Sequence, residues 1–173
     1  MFTKKILPKR IYLRAMDTTW EVEFHPRKHQ SLILHSPAEN ILLFSGHRLT
    51  YPKGVKLLKA WLHPIAKKYL LDLTAHYNAR WGFKIKNIQV RNTSAQWGSC
   101  TAEKNVSLST QLLFLPHELV RHVILHELSH TVHLNHSPKF WEVMKSHDPQ
   151  YKTHRILLKK SSSFVPDWIK YRK

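Results

Sequence analysis

The first fifty residues carry short runs in which apolar and polar side chains alternate, a pattern typical of half-buried strands. Strands are predicted at 10–14, 20–24, 31–35 and 41–44, the last closed by Ser45-Gly46. From about Lys53 to about Arg80 apolar residues recur at helical spacing, across a proline at position 64. We therefore expect a strand-rich N-terminal lobe, over about residues 1–50, followed by a long helix.

Trp81-Gly82 ends the predicted helix, and two more alternating segments follow at 83–90 and 106–109. With the intervening Trp97-Gly98-Ser99-Cys100 they predict an antiparallel hairpin or meander. No linker composition separates the two halves of the chain. We expect one α+β domain over 1–173, in which about 51–173 form a core around the next helix.

That next helix begins near Leu115-Pro116, because proline is tolerated in a first helical turn. His126 and His130 are four residues apart and project from one face, so their imidazoles can reach one ion. Glu127 lies between them, placed to act on a water molecule as general base. An apolar face would hold the helix against the core: Leu119, Val123, Ile124, Leu128 and Val132.

Helix spacing excludes two neighbouring histidines as further ligands of the same ion. At a rise of about 1.5 Å per residue, His122 lies about 12 Å along the axis from His130, and His133 about 10 Å from His126. Bonds from zinc to nitrogen are only about 2 Å long, so one ion cannot contact both ends of such a span. We expect His122 and His133 to support the site or to face solvent.

A third ligand has to come from chain that turns back toward the helix. Asn135 tolerates the left-handed conformation and is the predicted helix end, and Ser137-Pro138 suits the first turn of a new helix. His136 lies in the corner between them. The sequence therefore predicts Zn²⁺ held by His126, His130 and His136, with a fourth position left for water.

The new helix is predicted from Pro138 to about Ser146 and would brace this corner. Asp148, Tyr151 and His154 follow it. We expect these three in a helix end and a surface loop.

The composition of the chain indicates which partners it attracts and in which cellular compartment it is expected. Lys and Arg number 28 against 11 Asp and Glu, a net charge of +17 that attracts polyanions such as nucleic acid, nucleotides or acidic peptides. Cys100 is the single cysteine, so no internal disulfide forms. No apolar stretch has the length of a signal peptide or a membrane span, and a cytoplasmic protein is expected.

Three segments together resemble one protein family. Gln96-Trp97-Gly98-Ser99-Cys100, Asn105-Val106-Ser107-Leu108 and the zinc helix followed by Asn135-His136-Ser137-Pro138-Lys139-Phe140-Trp141 are similar to the YgjP-like metal-dependent hydrolases, predicted zinc metallopeptidases related to SprT-like and WLM zincins. The resemblance covers about residues 80–155. Gln96 departs from it, since the family commonly has arginine there.

The resemblance implies a zincin-like α+β fold, in which an antiparallel sheet packs on the metal helix. It also implies zinc ligands at His126, His130 and His136, and Glu127 as the catalytic glutamate. Some SprT-like relatives are proteases that act on DNA-bound proteins, which would suit the basic charge.

Three functions therefore stay open, and a zinc metallopeptidase is preferred. An extended polypeptide substrate would add as a strand to 106–109. A metal-dependent nucleotide pyrophosphatase or phosphohydrolase is the first alternative, because activated water also attacks phosphoanhydrides. A nucleic-acid-associated protein with a structural zinc is the second, although such sites usually have four protein ligands. For Cys100 packing is preferred over a thiol ligand to the metal.

Overall fold

The computed structural model describes residues 6–28 and 30–170. The predicted lobe and domain also include 1–5, 29 and 171–173, which lie outside the described residues. The strands are β1 (Arg10–Leu13), β2 (Thr18–Pro26), β3 (Ile33–His35), β4 (Ile41–Gly46), β5 (Asn87–Arg91), β6 (Gly98–Cys100) and β7 (Asn105–Ser109). The α-helices are α1 (Tyr51–Trp81), α2 (His117–His130), α3 (Pro138–His147), α4 (Tyr151–Lys160) and α5 (Asp167–Lys170).

The strands expected in the N-terminal lobe form a four-stranded sheet in the order β1-β2-β4-β3. β1 runs antiparallel to β2, whereas β2 and β4 pair in parallel from Glu21–Ile41 to Pro26–Gly46. Inward residues of this sheet, including Ile11, Leu42 and Phe44, are buried. The alternating pattern therefore predicts the strands here, though it does not predict which pair runs parallel.

Helix α1 connects this sheet to the rest of the molecule. It extends from Tyr51 to Trp81 through Pro64, and Gly82 ends it with a left-handed φ of 69°. Its buried residues recur at helical spacing: Val55, Leu58, Leu62, Ala66, Leu70 and Tyr77. The helix predicted from the sequence is present because this stripe packs into one hydrophobic core together with residues of α2 and the second sheet.

The second sheet corrects the expected antiparallel arrangement. Its order is β5-β7-β6, in which β5 and β7 are parallel and only β6 and β7 are antiparallel. β7 is therefore central and paired on both edges. The expectation that a substrate strand adds to residues 106–109 is wrong, because neither edge of β7 is free. β6 is the edge strand.

The strand predicted at 83–90 is also shorter in the structure, because β5 begins at Asn87. Apolar residues at 83 and 85 occupy odd positions and those at 88 and 90 even positions, so one strand cannot bury all four on the same face. Phe83 instead packs in the core from the irregular segment between α1 and β5, with its ring centroid 5.2 Å from that of His147.

Within the described residues, no helix is both long enough and apolar enough to cross a membrane.

Candidate metal centre

Helix α2 carries the predicted metal residues and is buried along most of its length. Glu118 lies in the first turn, where its negative charge interacts favourably with the positive end of the helix dipole. Nine of the helix's residues are buried. The helix ends at His130, five residues before the expected end at Asn135. The early end has a local cause, since the Thr131 hydroxyl donates to the carbonyl of Leu128 (2.7 Å) and closes the last turn.

Three imidazoles converge beside the last turn of this helix. Nε2 of His126 lies 3.2 Å from Nε2 of His130 and 3.0 Å from Nε2 of His136. His136 reaches them because the chain turns back before α3, where the Ser137 hydroxyl caps the new helix by accepting from Phe140 N. The corner predicted from the sequence is therefore present.

The spacing of these nitrogens fits one tetrahedral ion. Ligands at about 2.05 Å from zinc in tetrahedral geometry lie about 3.3 Å apart, close to the observed separations. Burial above all, and then the neighbouring His130 and His136, lower the pKa of His126 to about 3. Burial likewise lowers the pKa of His136. Imidazoles bind metals in the neutral form that these shifts favour.

A backbone carbonyl orients one of the three rings. Nδ1 of His130 lies 3.1 Å from the carbonyl oxygen of His133, to which it donates, so Nε2 carries the free lone pair. His133 supports the site through its backbone, as a bond of this kind orients a metal-binding histidine.

Glu127 faces the strand that passes over α2. Its residue is 6% exposed, and burial raises the pKa of its carboxyl to about 8. Gly98, in β6, lies so close that a Cβ there would be 2.8 Å from Glu127 Oε1 and 2.7 Å from its Cγ. A cation at the three histidines would oppose the effect of burial and favour the carboxylate.

A cleft of about 450 Å³ opens beside these residues. Trp141 forms part of its wall, and the ring of Trp141 stacks on that of His136 with centroids 5.5 Å apart. Arg155, from α4, has its guanidinium carbon 4.8 Å from the centroid of Trp141. The other lining residues are Trp97, Gly98, His122, Val123, His126, Glu127, His136 and Leu158.

Behind the cleft, a buried cluster joins residues that were expected at the surface. Asp148 is 1% exposed and accepts from Nδ1 of His122 (2.7 Å) and Nδ1 of His154 (2.9 Å). Burial alone would raise the pKa of Asp148, but the hydrogen bonds from His154 and His122 outweigh it and lower that pKa. The expectation of a surface loop at Asp148 and His154 is therefore wrong.

This cluster was missed because its members are far apart in sequence. His122 precedes His126 by one helical turn, which was the available signal, but no pattern pairs it with a carboxylate 26 residues later. Tyr151 was also misplaced, since its ring stacks on Trp141 at 5.4 Å. The hydrogen bonds among His122, Asp148 and His154 hold α4 against α2.

Cys100 lies on β6 and does not join the three histidines. Its thiol is half-buried, and its Sγ lies 3.5 Å from the carbonyl oxygen of Thr101. Burial raises the pKa of the thiol, and the nearby charge of Glu127 adds to the shift. The groups within reach of one another for metal binding are His126, His130 and His136, and separately His122, Asp148 and His154, among the residues that are described.

No curated protein matches this chain. The crystal structure of the metallopeptidase zymogen abylysin of Pyrococcus abyssi is similar to part of it, with 22% sequence identity and a TM-score of 0.45. That similarity covers 52% of this chain and 93% of the abylysin chain.

A family model gives the wider match. The model described as the YgjP-like metallopeptidase domain covers residues 3–161, which include both sheets, α1 and the convergent histidines. The chain therefore belongs to the YgjP-like metallopeptidase domain family and is a metal-dependent hydrolase.

Proposed function

We propose that this protein is a zinc peptidase in which His126, His130 and His136 hold the ion and Glu127 is the general base. The observation that carries the proposal is the convergence of three Nε2 atoms at 3.0–3.2 Å around His126, beside a buried carboxylate. Zinc held there would act as a Lewis acid and make water a better nucleophile near neutral pH.

Glu127 has the position and the surroundings of a proton carrier. It lines the cleft, and its pKa is raised because it is buried. A carboxylate in such a place can take a proton from the attacking water and deliver it to the nitrogen of the leaving amine. Gly98 leaves the space that this side chain occupies.

The edge of β6 is the proposed place for the peptide backbone. Gly98 belongs both to this edge strand and to the wall of the cleft. An extended peptide that pairs with a free strand edge aligns its backbone by main-chain hydrogen bonds. This position replaces residues 106–109 and puts the substrate beside Glu127.

The family description favours a peptide over a nucleotide as the substrate. A cytoplasmic location and contact with nucleic acid stay predictions from the sequence, as does a single domain over 1–173.

The test combines metal analysis with hydrolysis. We expect about one zinc per chain in the purified protein, and cleavage of unfolded protein but not of nucleoside triphosphates. Glu127→Gln should keep the zinc and lose hydrolysis, whereas His136→Ala should lose both. Full activity of Glu127→Gln, or full zinc content in His136→Ala, would overturn the assigned roles.

A further inference from the structure

Arg155 lines the cleft, with its side chain exposed to solvent. Its guanidinium packs 4.8 Å from the centroid of Trp141, and that ring stacks in turn on His136. A guanidinium is attracted to the face of an aromatic ring, and the contact restricts the conformations of the arginine side chain. Arg155 thus contacts the same ring that stacks on the proposed ligand His136.

Helix α4, which carries Arg155, is held against α2 by buried hydrogen bonds. The adjacent His154 donates to Asp148, and His122 of α2 donates to the same carboxylate. Tyr151, one turn before Arg155, also stacks on Trp141. These contacts hold the backbone of α4 beside α2, and the guanidinium of Arg155 is oriented by its contact with Trp141.

No acidic side chain neutralises Arg155 within the part of the chain that the structure describes. In a chain this basic many cations lack a partner, so this alone would mean little. What distinguishes Arg155 is its location, since Glu127 is the only carboxylate among the described residues that line the cleft. The wall of the cleft thus includes a guanidinium that packs on Trp141 and whose hydrogen-bond donors are available to a ligand.

We propose that Arg155 forms a subsite for a carboxylate of the substrate, beside the proposed zinc site. A guanidinium binds a carboxylate through two parallel hydrogen bonds, a geometry that a lysine or a neutral donor cannot reproduce. The carboxylate can be the C-terminus of a peptide or the side chain of an acidic residue near the scissile bond. This inference rests on the proposed peptidase function and names its substrate class.

The experiment measures binding rather than turnover. In the zinc-loaded Glu127→Gln protein, calorimetry would compare one N-acetylated peptide as the free acid and as the C-terminal amide. Two further amides, with glutamate or glutamine as the last residue, distinguish the two sources of the carboxylate. Each peptide is measured again after Arg155→Gln, after Arg155→Lys and after Lys159→Gln, an exposed residue of α4 outside the cleft.

We expect at least one carboxylate peptide to bind about tenfold more tightly than its neutral counterpart, as for a charge-assisted pair. Arg155→Gln should abolish that preference, Arg155→Lys should restore part of it, and Lys159→Gln should leave it intact. A preference that survives Arg155→Gln, or equal affinity for acid and neutral forms, would overturn the subsite. Failure of the wild type to hydrolyse any peptide would instead overturn the proposed function.

Discussion

Gly98 of β6 and Glu127 of α2 pack against each other, although they are 29 positions apart in the sequence. A Cβ at position 98 would lie 2.7 Å from Glu127 Cγ, shorter than side chains tolerate. The glycine of Trp97-Gly98-Ser99-Cys100 is thus explained by the proposed base, since strand β6 can pass over α2 only where it has no side chain.

Gly98→Ala should therefore impair chemistry more than metal binding. The added methyl displaces the carboxylate of Glu127, and a misplacement of about 1 Å can lower a rate about 100-fold. We expect kcat to fall by about that factor while zinc content is unchanged. Steady-state kinetics with metal analysis would measure both.

Ser99→Ala, at the next position of β6, is the matched control because it adds no atoms. Unaltered kcat in Gly98→Ala would mean that Glu127 can move aside without loss, which contradicts its role as base.

The sequence predicted most of what depends on short spacing. His126 and His130 share a face because they are four residues apart, and His136 follows a turn whose cap, Ser137, is local. The contacts between Gly98 and Glu127 and between His122 and Asp148 were not predictable, because they join distant segments and depend on how β6 and α4 pack on α2. The parallel pairing of β5 with β7 was missed for the same reason.

Asp148→Asn should destabilise the fold. The substitution removes the charge that accepts hydrogen bonds from His122 and His154 in a buried place. Hydrogen bonds to a buried charge are strong, so we expect the free energy of unfolding at pH 7 to fall by about 3 kcal/mol. Urea denaturation would measure it. Asp72→Asn, which disrupts an exposed pair with Lys68, should have little effect.

The cost of Asp148→Asn should also depend on pH. The folded pKa of Asp148 lies below its ordinary value of 3.8. Its carboxylate therefore stabilises the fold fully above that value, and the stabilisation is lost as the pH falls through the folded pKa. The difference between wild type and Asp148→Asn should shrink below about pH 4. A constant difference from pH 7 to pH 3 would contradict the charged pairing.

Trp141→Ala should weaken metal binding without removing a ligand. The ring of Trp141 stacks on His136 and orients it, and residues that orient a ligand commonly contribute about tenfold to metal affinity. We expect the zinc dissociation constant to rise by about that factor, measured by competition with a chromogenic chelator. Trp141→Phe keeps an aromatic face and should bind nearly as well as the wild type. Equal affinity in all three proteins would exclude a role for the stacking.

Removal of the metal should lower thermal stability, because the ion would join the end of α2 to the corner before α3. A ligand at 100 times its dissociation constant stabilises a fold by about 2.7 kcal/mol, so a chelator should lower Tm by about 5–10 °C. His136→Ala should already have the lower Tm and should not respond to the chelator. If the ion were instead held by His122, Asp148 and His154, which also lie within reach of one another, His136→Ala would still respond. The response of this variant therefore identifies which group of residues binds the metal.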